Sequence, residues 1–266
     1  MNDSALRLGV FAGVFVAMAL AEAAAPRRAL ARPRASRWPV NLALVAFSTI
    51  LIRFVAPIGL TGVAVAVQAF GWGGLPALGL PAPSAAVIAF LALDLLIYLQ
   101  HRVFHAVPLF WRLHQVHHTD QDMDATTGVR FHPLEMLASF GLKALAVTAL
   151  GAPVGAVLAF EVWLNAMSLF NHANWRMPSI VDAALRWVVV TPDMHRVHHS
   201  VRRTEQDSNF GFNLPWWDRL FRTYKPAPVD GHIGMRIGLD DGHGARSLAA
   251  LLQLPFDAGR PSRLHR

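Results

Sequence analysis

Cysteine is absent from the 266 residues, which excludes disulfides and thiolate metal ligands together. Any bound metal must then be held by histidine, carboxylate or backbone oxygen. Charge is also scarce: 15% of the residues are Asp, Glu, Lys or Arg, against about 25% in an ordinary soluble domain. Acids are the scarcer sign, 17 against 24 bases, leaving a net charge of +7. No long basic helix or aromatic–basic alternation accompanies that excess, which argues against a nucleic-acid partner. Anionic lipid at a cytoplasmic membrane face is the better match. The glycine fingerprint of a dinucleotide-binding turn is missing, and no solenoid-type repeat is visible.

What the chain has is apolar length. Hydrophobic residues make up 54%, and the mean hydropathy is +0.36. Leu6 to Ala25 is almost unbroken, long enough to cross a hydrocarbon core of about 30 Å at 1.5 Å per residue. A cleaved signal peptide is the alternative, given the small residues of "AEAAAP", although Asp3 offsets Arg7 in its n-region. "PRRALARPRASRW" follows with Arg27, Arg28, Arg32, Arg34 and Arg37 and no acid. The positive-inside rule makes this loop cytoplasmic and puts the N-terminus outside.

Val40 to about Phe70 reads as one span ending near Ala56 and then a shorter re-entrant or interfacial piece. "GWGGLPALGLPAPS" has turn composition, and Ser84 is placed to cap a helix through "AAVIAFLALDLLIYLQHRVFH". "LEMLASFGLKALAVTAL" and "VGAVLAFEVWLNAMSLF" form a hairpin of two spans turning at "GAP". Counting sides from the arginine loop places every histidine cluster in the cytoplasm, on an inner or plasma membrane. "LPWWDRLFRTY" reads as an interfacial segment, with aromatics at headgroup depth. The expected fold is therefore all-α: an integral membrane bundle of about four to five spans under a cytoplasmic helical cap. Residues 1–83 supply the first spans and the arginine loop, 84–225 the catalytic domain, and 226–266 a polar tail.

Thirteen histidines are unevenly spread. "HRVFH" holds His101 and His105; "HQVHH" holds His114, His117 and His118; "HRVHH" repeats that spacing with His195, His198 and His199. Residues three and four apart share a helix face, so each motif makes an imidazole patch. Charged imidazoles so close repel one another, whereas a metal binds the neutral form and holds several at once. Eight imidazoles exceed the four ligands of a structural zinc. Two metal ions account for them, and imidazole suits iron.

With "FNHANW" and "DSNFGFNLPWWDRLF" added, these motifs resemble the fatty acid hydroxylase and sterol desaturase superfamily, from about Asp94 to Tyr224. That resemblance implies a membrane di-iron oxygenase that hydroxylates or desaturates a lipid. It implies metal ligands at the eight clustered histidines and at His172. Some relatives have a second histidine four residues beyond His172; here that position is Arg176. His132, in "RFHPLE", is a candidate for the vacant ligand position, or else caps the next span. Nothing in "FHPLE" resembles the haem signature of a fused cytochrome, so the resemblance implies a separate ferredoxin or cytochrome-type electron donor. A histidine-lined metal transporter and a zinc-dependent membrane hydrolase are the rival readings.

Other residues carry weaker expectations. Asp94, two helical turns before His101, is a candidate to orient a ligand imidazole, or to bond between helices. Glu161 raises the same question inside the fifth span, with no motif nearby. Asn209 and Asp218 match the resemblance, but a turn and a helix cap also explain them. His232, His243 and His265 are expected to be solvated in the tail.

Overall fold

The computed structural model describes residues 3–240 and 247–257. It is helical, without strands among those residues. The long elements are α1 (Asp3–Ala24), α2 (Arg34–Val55) and α3 (Gly59–Ala69), then, past the short turn α4 (Gly74–Ala77), α5 (Ala82–Ala106) and α6 (Pro108–His118). After a 3-10 turn at Ala125–Val129 come α7 (Pro133–Leu150) and α8 (Val154–Asn171). The remaining pieces are short: α9 (Ser179–Leu185), α10 (Pro192–His198), α11 (Arg203–Gln206), α12 (Trp216–Leu220), α13 (Gly231–Gly234) and α14 (Leu248–Gln253). Among the described residues, five segments are long and apolar enough to cross a membrane: α1, the stretch from α2 to α4, α5, α7 and α8.

Proline and glycine set the boundaries. Pro83 stands in the first turn of α5, where its missing N–H costs nothing. Ser84 therefore falls inside the helix rather than capping it as expected, and Pro81 occupies the N-cap. Pro108 starts α6 one residue after α5 ends and pushes Val107 into an extended conformation. The chain folds back there, and α6 lies against α5. Gly151 turns the α7–α8 hairpin at φ 64°, a left-handed conformation that favours glycine.

The apolar core between α3, α5, α7 and α8 includes Leu60, Leu93, Val147 and Phe160. At one end of this bundle the spans gather a polar cap. The arginine segment is a strap on that cap rather than a free loop. Arg37 is buried and donates to Asp120 at 2.7 Å and also to Asp124. Asp122 accepts from the backbone N–H groups of Ala31 and Arg32. Arg27 pairs with Asp193 at 3.0 Å, and Arg34 with Glu22 at 3.0 Å. Glu22 in turn accepts from the backbone N–H groups of Ala125 and Asn174. α1, α2 and the segment after α8 thus end in one hydrogen-bonded platform.

Candidate metal centre

The fold-back at Val107 brings the first two motifs together. His101 and His105 share a face of α5, and His114, His117 and His118 end α6. His195 and His198 lie on α10, with His199 just beyond it, and His172 immediately follows α8. All nine imidazoles are buried.

They form two groups, each with ligand atoms within 4.8 Å of one another. His101, His105, His114, His118 and His198 make one; His117, His172, His195 and His199 make the other. The repeated HxxHH spacing explains the division. Residues four apart on a helix point the same way, while adjacent ones diverge by about 100°. On α6 the four-apart pair His114 and His118 enters the first group and His117 the second. On α10 the assignment is reversed: His195 and His199 enter the second group and His198 the first. Each motif therefore serves both groups, which abut where the His118 and His199 ring centroids are 4.7 Å apart.

Backbone carbonyls fix the tautomers. His101 Nδ1 donates to the Phe210 carbonyl at 2.8 Å, His198 Nδ1 to Ser208 at 2.9 Å and His172 Nδ1 to Ser168 at 2.7 Å. A carbonyl only accepts, so the proton sits on Nδ1 and the Nε2 lone pair is bare. Yet His172 Nε2 lies 3.1 Å from both His117 Nε2 and His195 Nε2, and His101 Nε2 lies 3.1 Å from His114 Nε2. Nitrogens bound to one ion at about 2.0–2.1 Å and at right angles stand roughly 3 Å apart. His118 Nε2 and both nitrogens of His199 are buried without a hydrogen-bond partner. The donor set fits a metal ion in each group.

Electrostatics favour the ligand form. Burial, then neighbouring imidazoles, hold His117, His118, His195 and His199 well below the usual histidine range. Burial alone dominates at His172, pushed down to about 3. Neutral imidazoles need no deprotonation before they ligate a metal.

The "DSNFGFNLPWWD" loop is the template for these carbonyls. Asn209, at φ 50°, donates to the carbonyls of Met194 and Lys225, each at 2.8 Å. Asp218 accepts from the N–H groups of Phe210 and Gly211 and from the Thr223 hydroxyl. Gly128 is required for a different close approach: a Cβ there would stand 2.1 Å from the Ser168 carbonyl oxygen.

The structure decides between alternatives that the sequence left open, and corrects one expectation, the solvated His232. Asp94 touches no imidazole; it accepts from Asn213 and from the Trp217 indole, both at 2.8 Å, and so ties α5 to the template loop. His132 lies outside both groups. Its Nδ1 accepts from Leu134 N–H as an N-cap, and its Nε2 faces the Leu252 carbonyl at 3.2 Å. Arg176 is exposed, and only its backbone N–H is used, donating to Ala25. Glu161 pairs with Arg7 at 2.6 Å. His232 is largely buried, with Nε2 3.6 Å from Asp193, and burial pushes it down to about 4. His243 and His265 lie outside the described residues.

Three contacts to the imidazoles were not foreseen. Glu135 Oε1 is 2.6 Å from His114 Nδ1, Asp207 is 3.4 Å from His105 Nδ1, and Gln206 Nε2 is 3.4 Å from His118 Nδ1. A carboxylate on Nδ1 orients His114 and raises its basicity as a ligand. Beside the first group, a cavity of about 110 Å³ opens between α2, α5, α7 and α8. His101 and His114 line its floor, and Val45, Ile52, Ile97, Phe131 and Leu164 supply apolar walls.

Spanning helices under a buried histidine site define an all-α integral membrane protein whose nine imidazoles form two groups that could each hold a metal ion. The family model for fatty acid hydroxylases matches residues 86–223, just over half of the chain, and the chain belongs to that family. The ornithine lipid hydroxylase OlsE of Rhizobium tropici is 32% identical over 168 residues, 60% of this chain and 46% of that protein. The alkylglycerol monooxygenase of Xenopus tropicalis is 28% identical over 194 residues, 70% of this chain and 41% of the relative. A very-long-chain aldehyde decarbonylase of Oryza sativa subsp. indica is 30% identical over 143 residues, 49% of this chain and 22% of that protein. The chain thus spans less than half the length of these relatives. No solved structure matches.

Proposed function

We propose that this protein is a membrane-bound di-iron oxygenase that hydroxylates or desaturates a lipid. The observation that carries the reading is the pairing of two abutting imidazole groups with a cavity that runs from His101 and His114 between apolar helices. His101, His105, His114, His118 and His198 would hold one metal, and His117, His172, His195 and His199 the other. Iron is favoured because an all-imidazole set suits it, and nine imidazoles exceed what a zinc hydrolase uses. Bound iron would supply activation of dioxygen.

The chain's own residues supply position and exclusion. Phe210, Ser208 and Ser168 carbonyls hold imidazole protons on Nδ1, so that the Nε2 atoms converge. Burial keeps water from the nitrogens. The cavity walls would hold a substrate C–H bond above His101 and His114. Hydroxylation converts C–H and dioxygen, with two electrons and two protons, into C–OH and water. Desaturation uses the same inputs to remove two hydrogens and release two waters. The electrons come from a separate ferredoxin or cytochrome-type protein. The positive charge of the arginine strap supports a cytoplasmic face for the cap and its histidines, by the positive-inside rule.

Mass spectrometry of the host's lipids with and without the protein tests this. A lipid class gaining one oxygen means hydroxylation, and one losing two hydrogens means desaturation. An unchanged lipid profile beside a measurable metal flux or lipid cleavage would contradict the reading.

A further inference from the structure

Beside the metal centre, α9, α12 and the residues that follow each of them turn an apolar surface outward. It consists of Ile180, Trp187, Val188, Trp216, Leu220 and Phe221, with Ile180 80% and Leu220 66% exposed. So large a patch marks a site of contact with a protein or a membrane.

The polar groups under this surface are turned inward. The Trp216 indole donates to the Trp187 carbonyl at 2.8 Å, although both residues are exposed, and Arg219 donates to the Arg186 carbonyl at 3.0 Å. The Arg219 guanidinium lies 3.9 Å from the Trp187 ring centroid and 4.2 Å from that of Tyr224. The Val190 N–H donates to the Asn213 carbonyl at 2.9 Å. At an aqueous surface, solvent would serve such carbonyls. In hydrocarbon they must be satisfied from within the protein.

Contacts with α5 give the depth. The Trp217 indole of α12 donates to Asp94 at 2.8 Å, and Phe221 stacks on Tyr98 with centroids 5.4 Å apart. Asp94 and Tyr98 lie twelve and eight residues before the end of α5 at Ala106, about 18 and 12 Å along its axis. The 25 residues of α5 measure about 37 Å, against a hydrocarbon core of about 30 Å. With α5 centred in that core, α12 meets it roughly 8 to 14 Å below the boundary. Neither α9, with seven residues, nor α12, with five, can span. Arg176, just before α9, is exposed and bonded through its N–H to Ala25 at the end of α1, level with the headgroups.

We infer that α9 and α12 form a foot that enters the leaflet next to the cap without crossing it, its apolar face covered by lipid acyl chains. A second copy or another protein would have to reach this face through the acyl chains beside α5. Asp218 of α12 also accepts from the N–H groups of Phe210 and Gly211, so the foot and the loop that orients His101 are one bonded unit. The leaflet thereby holds the metal centre against the membrane surface. This holds whichever reaction the metals perform.

A chain without cysteine allows single labels to test it. Ile180→Cys and Leu220→Cys, made in the full-length protein, would carry a bimane fluorophore in nanodiscs of phosphatidylcholine and phosphatidylglycerol, which open both membrane faces to solvent. Val229→Cys, beside the exposed Arg202–Asp230 pair, is the aqueous control. Leu145→Cys, exposed on the spanning α7, is the lipid control. Both foot labels should be quenched by lipids with a nitroxide on the acyl chain, as Leu145→Cys is, and should resist aqueous iodide severalfold better than Val229→Cys. Iodide quenching equal to that of Val229→Cys would overturn the inference and put the foot in water. Protection from both quenchers would also overturn it, showing that a second copy or another protein covers the face. Val188→Cys, on the same face, gives the same reading where either foot variant fails to fold.

Discussion

At the scale of single residues, the histidines were legible because helical spacing is a local property. HxxHH puts its first and third imidazoles on one face and turns the second toward another, and the nine convergent side chains all came from such motifs or from "FNHANW". Glu135 was not legible. Its contact with His114 joins α6 to α7, and "HPLE" by itself reads as a helix start. Asp94 takes the second of the two roles open to it, a bond between elements. Two helical turns do put it on the His101 face, but Asn213 and Trp217 of the template loop reach its carboxylate first. The Glu135 contact makes a sharp prediction. Glu135→Gln replaces the carboxyl group behind His114 while keeping the shape, and should weaken metal binding about 10–100-fold. Competition with a chelator measures this; unchanged retention would reduce Glu135 to a packing residue.

At the scale of elements, the helices were readable and their ties were not. The "GAP" turn after α7 was legible, whereas Pro81 and Pro83, not the expected Ser84, set the start of α5. The arginines of the strap looked like a signal of topology alone, because their partners Asp120, Asp124 and Asp193 come from distant segments. Burial works against ionisation of Asp120, yet Arg37 overcomes it and holds this carboxylate below its ordinary range. Arg37→Ala would leave two buried carboxylates without their cation. That should cost about 3–5 kcal/mol and loosen the Thr119–Val129 turn that follows the α6 histidines. Thermal unfolding in detergent measures it, with Ser36→Ala, an exposed neighbour, as the neutral control. A loss below about 1 kcal/mol would show that solvent or lipid headgroups replace the arginine.

At the scale of the whole molecule, five spans and one polar cap give a defined sidedness. The C-terminal ends of α1, α5 and α8 and the N-terminal ends of α2 and α7 meet at the cap, so the chain alternates as the count of spans requires. By the positive-inside rule we propose that this end faces the inside of the cell. A cysteine placed at Ser36, in a chain that has none of its own, should resist a membrane-impermeant thiol reagent in intact cells and react after lysis. Labelling without lysis would invert the orientation while leaving the metal site untouched.

The central claim is that nine imidazoles hold two irons, and metal stoichiometry tests it most directly. Protein purified without oxygen and loaded with ferrous iron should contain two irons per chain. His198→Ala, which removes a ligand from the five-imidazole group, and His117→Ala, which removes one from the four-imidazole group, should each retain about one and lose activity. One iron or none in the wild type, or two in either variant together with full activity, would contradict the account.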